Sequence, residues 1–156
     1  KAAEAIVAAL KKLTVSDAGP PAVRFAVDAE IARLTASRAA FSVVASPFSP
    51  DHIVYAGSDF LFADSVDALE KDYAAFVAKF KRQPKLAAVR GLGVFGIGVG
   101  NNEKSAGLAV DLFRDAAKIA AYVEAFGGPR YMTADQIDFI NNWEVERYRS
   151  KISTAK

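Results

Sequence analysis

The sequence predicts an α/β fold in which helices cover a sheet. Short apolar stretches rich in β-branched and aromatic residues alternate with amphipathic stretches of helical period, which favours layered packing over a helix bundle. Residues 87–126 join a glycine-punctuated strand region directly to the strongest helical pattern in the chain. The 156 residues are 52% hydrophobic and 24% charged, the balance of one well-packed domain, so we read residues 1–156 as a single domain.

Taken in order, Ile6, Leu10 and Leu13 share one face of an Ala-rich helix over residues 2–13, and Thr14 to Pro21 reads as a linker. Residues 1–20 are thus expected to be a peripheral helix and linker. Val23, Phe25 and Val27 alternate as in a brief strand, after which Asp28 caps a helix over 29–37. Phe41 to Ala45 is apolar and partly β-branched, and is expected to be a strand. Ser49-Pro50-Asp51-His52 has a cap, a proline for the first helical position and an acid for the helix dipole, which predicts a single helical turn.

Phe60, Leu61 and Phe62 suit another strand. A helix is then expected from Asp64 or Ser65, with Val66, Leu69, Tyr73, Phe76 and Phe80 inward and Pro84 enforcing its stop. Glycines at 91, 93, 96, 98 and 100 among Val94, Phe95, Ile97 and Val99 predict a tightly packed buried strand or pair of strands. Asn101 or Asn102 caps the following helix, whose expected buried face is Leu108, Leu112, Ile119, Val123 and Phe126, ending at Gly127-Gly128-Pro129. Thr133 and Gln136 form a capping box for a last helix, with Ile137, Ile140, Trp143 and Tyr148 inward.

Charge and residue usage narrow the chemistry. A net charge of +2 from 20 basic and 18 acidic residues does not call for nucleic acid, and the basic PKLAAVR and RYRSK stretches read as solvated faces. No apolar run reaches the roughly 18 residues of a membrane span, so neither nucleic acid nor membrane is an expected partner, and we expect a soluble, cytoplasmic protein. Without cysteine there are no disulfides, thiolate nucleophiles or Cys-ligated metals, and with one histidine any metal site has at most one imidazole from this chain. The first residue, Lys1, points to a fragment or a processed chain.

Candidate site residues follow from those that remain. His52, beside Asp51, is either a metal ligand or proton carrier or an internal hydrogen-bonding residue. Arg90, ending an apolar stretch beside Gly91, suits either an anionic ligand or a surface ion pair. Trp143, Glu144 and Glu146 line a pocket or, for Trp143, fill the core. Gly91 to Gly96 satisfies GxGxxG formally, yet VFGIGV continues extended and Asp111 and Asp115 fall within a helix, so close strand packing competes with nucleotide binding.

The stretch AAVRGLGVFGIGVGNNEKSAGLAVDLFRDAAKIAAYVEAF resembles the strand-helix segment near the end of class II sugar aldolases of the aldolase/adducin type. SPDHIVYAG before it and NWEVERYRSKI after it are similar to segments of the long bacterial forms, including those that fuse a rhamnulose-phosphate-aldolase-like half to a short-chain dehydrogenase. The resemblance covers residues 23–152. It implies a layered α/β/α sandwich, only part of the complete fold, and a divalent cation, usually zinc, that stabilises the enediolate when a ketose 1-phosphate is cleaved to dihydroxyacetone phosphate and an aldehyde.

Shorter members of the family carry an Asn-His-Gly metal ligand where this chain has Gly91-Leu92-Gly93, so Leu92 stands at the histidine position and His52 is the residue left to replace it. Asp51, Arg90 and Glu146 are the pocket residues expected around it. The family's phosphate-binding Gly-Asn segment, catalytic acid and His-x-His pair have no counterpart here. The resemblance therefore implies the C-terminal portion of a larger, homo-oligomeric aldolase, inactive alone, whose partners are its own N-terminal half and a small sugar phosphate. A non-catalytic adducin-like assembly module is the alternative, and a nucleotide-binding module the third.

Overall fold

The computed structural model describes residues 1–143 together with Tyr148 and Ile152. Four strands, β1 (Ala22–Ala26), β2 (Leu61–Ala63), β3 (Leu86–Val89) and β4 (Gly93–Gly98), form one mixed sheet in the order β1-β4-β3-β2. The glycine-rich stretch is a pair of strands. β4 runs antiparallel to both β3 and β1, and a turn at 90–92 joins it to β3, with the Leu92 amide donating to the Val89 carbonyl at 3.0 Å and Gly91 at φ 68°. β2 is parallel to β3, and helix α4 (Leu69–Phe80) makes the crossover that a parallel pair requires.

The pleat divides the core in two. Leu61, Ala63, Ala87, Val89, Phe95 and Ile97 point to one face, against Leu69 and Phe76 of α4 and Ile6 and Leu10 of α1 (Ala2–Leu13). The helix expected at the periphery thus seats two fully buried residues in this cluster. Ala26, Phe62, Leu86, Ala88 and Val94 point to the other face. They meet α2 (Ala29–Thr35), α3 (Arg38–Phe41) and the long α5 (Glu103–Val123). Helices on both faces make the layered α/β/α arrangement.

Gly96 and Gly98 set the distance between β4 and α5. A Cβ at Gly96 would lie 2.1 Å from the Ala106 carbonyl oxygen, and one at Gly98 would lie 1.9 Å from that of Asn102. The backbones approach closely because no side chain separates them. This contact decides which face of α5 is buried. Ala106, Ala109, Ala116, Ala117 and Ala120 lie inward with Val110 and Phe113. The bulkier Leu108, Leu112, Ile119 and Val123, expected inside, are only half-buried, and Phe126 is 87% exposed.

Cap chemistry follows the sequence closely. Asp28 accepts from the Ile31 amide at 2.9 Å, Asn102 from Ser105 at 2.8 Å, and the Thr133–Gln136 capping box opens α6 (Ala134–Asn142). Three local expectations are corrected. Phe41 to Ala45 is not a strand: Ser37 caps α3 by accepting from the Ala40 amide, and a 3₁₀ turn over Ser42–Val44 follows. Phe41 and Val44, three residues apart, are thereby both buried, and a short apolar run carries no periodicity that separates this outcome from a strand. α4 starts at Leu69, because Ser65 accepts from the Ala68 amide and closes a separate turn that leaves Val66 exposed. Trp143 and Tyr148 are 42% and 64% exposed, with Ile140 the buried residue of α6.

The α5–β4 contact sets opposite outcomes for two glycines. Gly98→Ala is expected to lower the unfolding free energy by about 3 kcal/mol, since the new methyl meets backbone. Gly107→Ala, whose Cβ would meet only the Arg24 Cδ at 4.0 Å, is expected to raise it by about 0.5–1 kcal/mol. Urea unfolding of the two variants checks both.

Candidate functional site

His52 opens a π-helical turn, His52–Ala56, that follows the expected Ser49-Pro50 start. Ser49 accepts from the His52 amide at 3.4 Å, and Gly57 at φ 92° ends the turn. The ring is 1% exposed and bonded at both nitrogens. Nδ1 accepts from the Phe48 amide at 3.3 Å, which places the ring proton on Nε2, and Nε2 faces Asp115 Oδ2 of α5 at 3.0 Å. A His–Asp pair is the orienting half of a general-base arrangement. Here Nδ1 is occupied and the ring is covered, so the pair acts as a clamp between the turn and α5.

Lys85 ties the same turn to the sheet, its Nζ donating to the Val54 carbonyl at 2.5 Å. Burial, and secondarily the nearby Arg82 charge, hold the Lys85 pKa below its ordinary value. Next to it, the Ser58 hydroxyl donates to Asp59 at 3.0 Å and accepts from Arg82 at 2.7 Å and Asn141 at 3.4 Å, linking the segment after α4, α6 and the 57–59 loop.

Arg90 lies at the other end of β3. Its guanidinium is 3.9 Å from Asp64, which Arg38 also binds at 2.8 Å, and Asp72 lies 3.6 Å from Arg38. The ion-pair alternative for Arg90 is the one found. The structure therefore does not bring Arg90 to His52: β3 separates Lys85, on the His52 side, from Arg90, and its four residues span about 13 Å. Asp51 precedes the π-helical turn and is exposed, and Glu146 lies outside the described residues. Leu92 is half-buried against the α1/α4 side of the core. Gly91 and Gly93 shape the hairpin turn, and the Cβ position of Gly96 is filled by α5, which leaves no phosphate cradle at GLGVFG.

A sizeable concavity lies elsewhere. A cleft of about 420 Å³ runs along the outer edge of β2 between α3 and α4. Phe41, Phe60, Phe62, Phe76 and Phe80 line it, with Arg38, Asp72, Lys79 and Asp59 at its rim. Sequence reasoning missed this cleft, the half-buried Lys85 and the pairing of His52 with Asp115. The crowding of phenylalanines on either side of residue 61 was the signal for the cleft, whereas no local signal joins positions 63 residues apart.

Among the described residues, no three His, Asp or Glu side chains converge on a point that holds a metal ion. Both His52 nitrogens are already bonded, so the described residues do not fit the divalent cation that the resemblance implies. No helix among them is long and apolar enough to cross a membrane.

No protein-family model and no curated protein matches the chain. Solved structures do. An L-fuculose 1-phosphate aldolase is similar with a TM-score of 0.51 and 17% identity, over 81% of this chain and 55% of that one. An aldolase II superfamily protein from Pseudomonas syringae is similar with a TM-score of 0.51 and 13% identity, over 84% of this chain and 53% of that one. The fold is class II aldolase-like, and the chain spans about half the length of these structures.

The two ties of the π-helical turn lead to separate expectations. His52→Ala is expected to lower the unfolding free energy by about 3 kcal/mol, from lost hydrogen bonds and a cavity, while a metal chelator leaves the parent's thermal transition unchanged. For Lys85 the folded pKa is depressed, so the cost of burying the charged amine is fully present below that pKa and is relieved as pH rises through it towards 10.5. The stability of the parent relative to Lys85→Met should therefore rise from neutrality towards pH 10.5 in paired urea titrations.

Proposed function

We propose that this chain is the C-terminal, scaffold-bearing part of a class II aldolase-like protein that cleaves a ketose 1-phosphate into dihydroxyacetone phosphate and an aldehyde. The observation that carries the reading is the class II aldolase-like fold across more than four-fifths of the chain, matched to about half of each neighbour. The chain's own residues supply layers and not chemistry: Gly96 and Gly98 seat α5, and Lys85 and His52 hold the π-helical turn. In this reading the cation and the proton-transfer groups belong to residues outside positions 1–156, and the isolated chain is inactive.

A second reading is a non-catalytic assembly module of the same fold. The internal bonding of His52 favours it, because the one imidazole in the chain is committed to structure. A coupled assay for dihydroxyacetone phosphate, run with ketose 1-phosphates and zinc, separates the two. The 156-residue chain is expected to show no turnover, and the longer polypeptide encoded by its gene to show metal-dependent turnover. Turnover by the 156-residue chain refutes the scaffold reading, and none by the longer polypeptide selects the assembly module.

A further inference from the structure

We propose that the outer edge of β2 is an unfinished place in the sheet, and that an apolar β-strand from the part of the same protein outside residues 1–156 fills it. The inference rests on the reading of this chain as part of a larger class II aldolase-like protein, and adds where and how the rest joins. Three observations carry it. No strand among the described residues pairs with the outer side of β2. The cleft there is the gap between the two helical layers, bounded by Phe41, Phe60 and Phe62 on one side and Phe76 and Phe80 on the other. The solved structures of this fold are nearly twice as long as the stretch that matches them.

The backbone chemistry of the edge shows what the strand replaces. Along β2 the carbonyls alternate in direction: that of Ala63 accepts from the Arg90 amide at 2.9 Å, on the β3 side, and that of Phe62 points outward. The outward carbonyl is occupied by a side chain. Arg38 Nη2 donates to it at 3.0 Å while Nε holds Asp64 at 2.8 Å. A guanidinium on an edge carbonyl blocks strand pairing, and it stands where the N–H of a neighbouring strand would stand. Arg38 keeps Asp64 and Asp72 as partners when that N–H takes its place on Phe62.

The surroundings also set the chemistry of the strand. Layers cover both sides of the gap, so the incoming residues are buried on both faces and read as a nearly continuous apolar run, not an alternating one. Because β2 itself spans only Leu61–Ala63, a run of about three to five residues fills the ladder. The rim pairs, Arg38 with Asp72 and Arg82 with Asp59, bound the two ends.

Hydrogen exchange at residues 60–63 and 22–26, in the 156-residue chain and in the longer polypeptide its gene encodes, tests this. Protection at 60–63 is expected to rise by roughly a hundredfold in the longer polypeptide, with 22–26 unchanged. The emission of a Phe60→Trp variant is expected to shift to the blue in the same comparison. Unchanged protection at 60–63 overturns the proposal. So does protection gained at β1 instead, protection in the 156-residue chain that rises with its own concentration, or a gene that encodes nothing beyond these residues. Aldolase turnover measured on the same longer polypeptide separates the two ideas. Protection without turnover keeps the strand and removes the catalytic reading, and turnover without protection does the reverse.

Discussion

The near contact of α5 with β4 over Gly96 and Gly98 is the constraint on which the other packing depends. With no side chain between the two backbones, the inner face of α5 is mostly alanine, with Val110 and Phe113 as its larger members. The bulkier aliphatic residues rotate to the flanks, where the π-helical turn packs against the helix and His52 finds Asp115. Phe113 in turn stacks on Phe41 at 5.7 Å, so the position of α3 derives from the same approach. A change in that single interlayer distance would propagate to every element on this side of the sheet.

The π-helical turn shows how a local irregularity is held. Such turns leave backbone groups without the regular helical pattern, and here Lys85 satisfies the Val54 carbonyl from the sheet side while His52 grips α5. The two residues with the most obvious chemical potential, a half-buried amine and a buried imidazole, are both spent on position.

Much of the architecture was legible in the sequence, and the reasons are local. Asp28, Asn102 and the Thr133–Gln136 pair announced helix starts through spacings of three residues, and the glycines of β4 announced close packing. What was not legible depended on tertiary contacts. The face of α5 was misassigned because hydrophobicity alone favours Leu108 and Leu112, whereas the close approach to β4 favours a face made mostly of alanine. Phe41 to Ala45 was misread because a short apolar run packs equally well as a strand or a turn. Nothing near residue 52 in sequence marked Asp115 as its partner, and Arg90 found its carboxylate, Asp64, just past β2.

The hairpin of β3 and β4 and the helix that lies on it are contiguous in the chain, while both outer strands come from earlier residues. This arrangement has a consequence for the order of folding. The contacts of the β3–β4–α5 unit are short in sequence and close loops cheaply, whereas β1 and β2 each wait for a partner that is made later. On a ribosome, the apolar side chains of β1 and β2 would stay unpaired until β3 and β4 emerge, and the β3–β4–α5 unit would then act as the template on which the residues before it collapse. Structure that reads from left to right in the sequence is thus assembled from right to left.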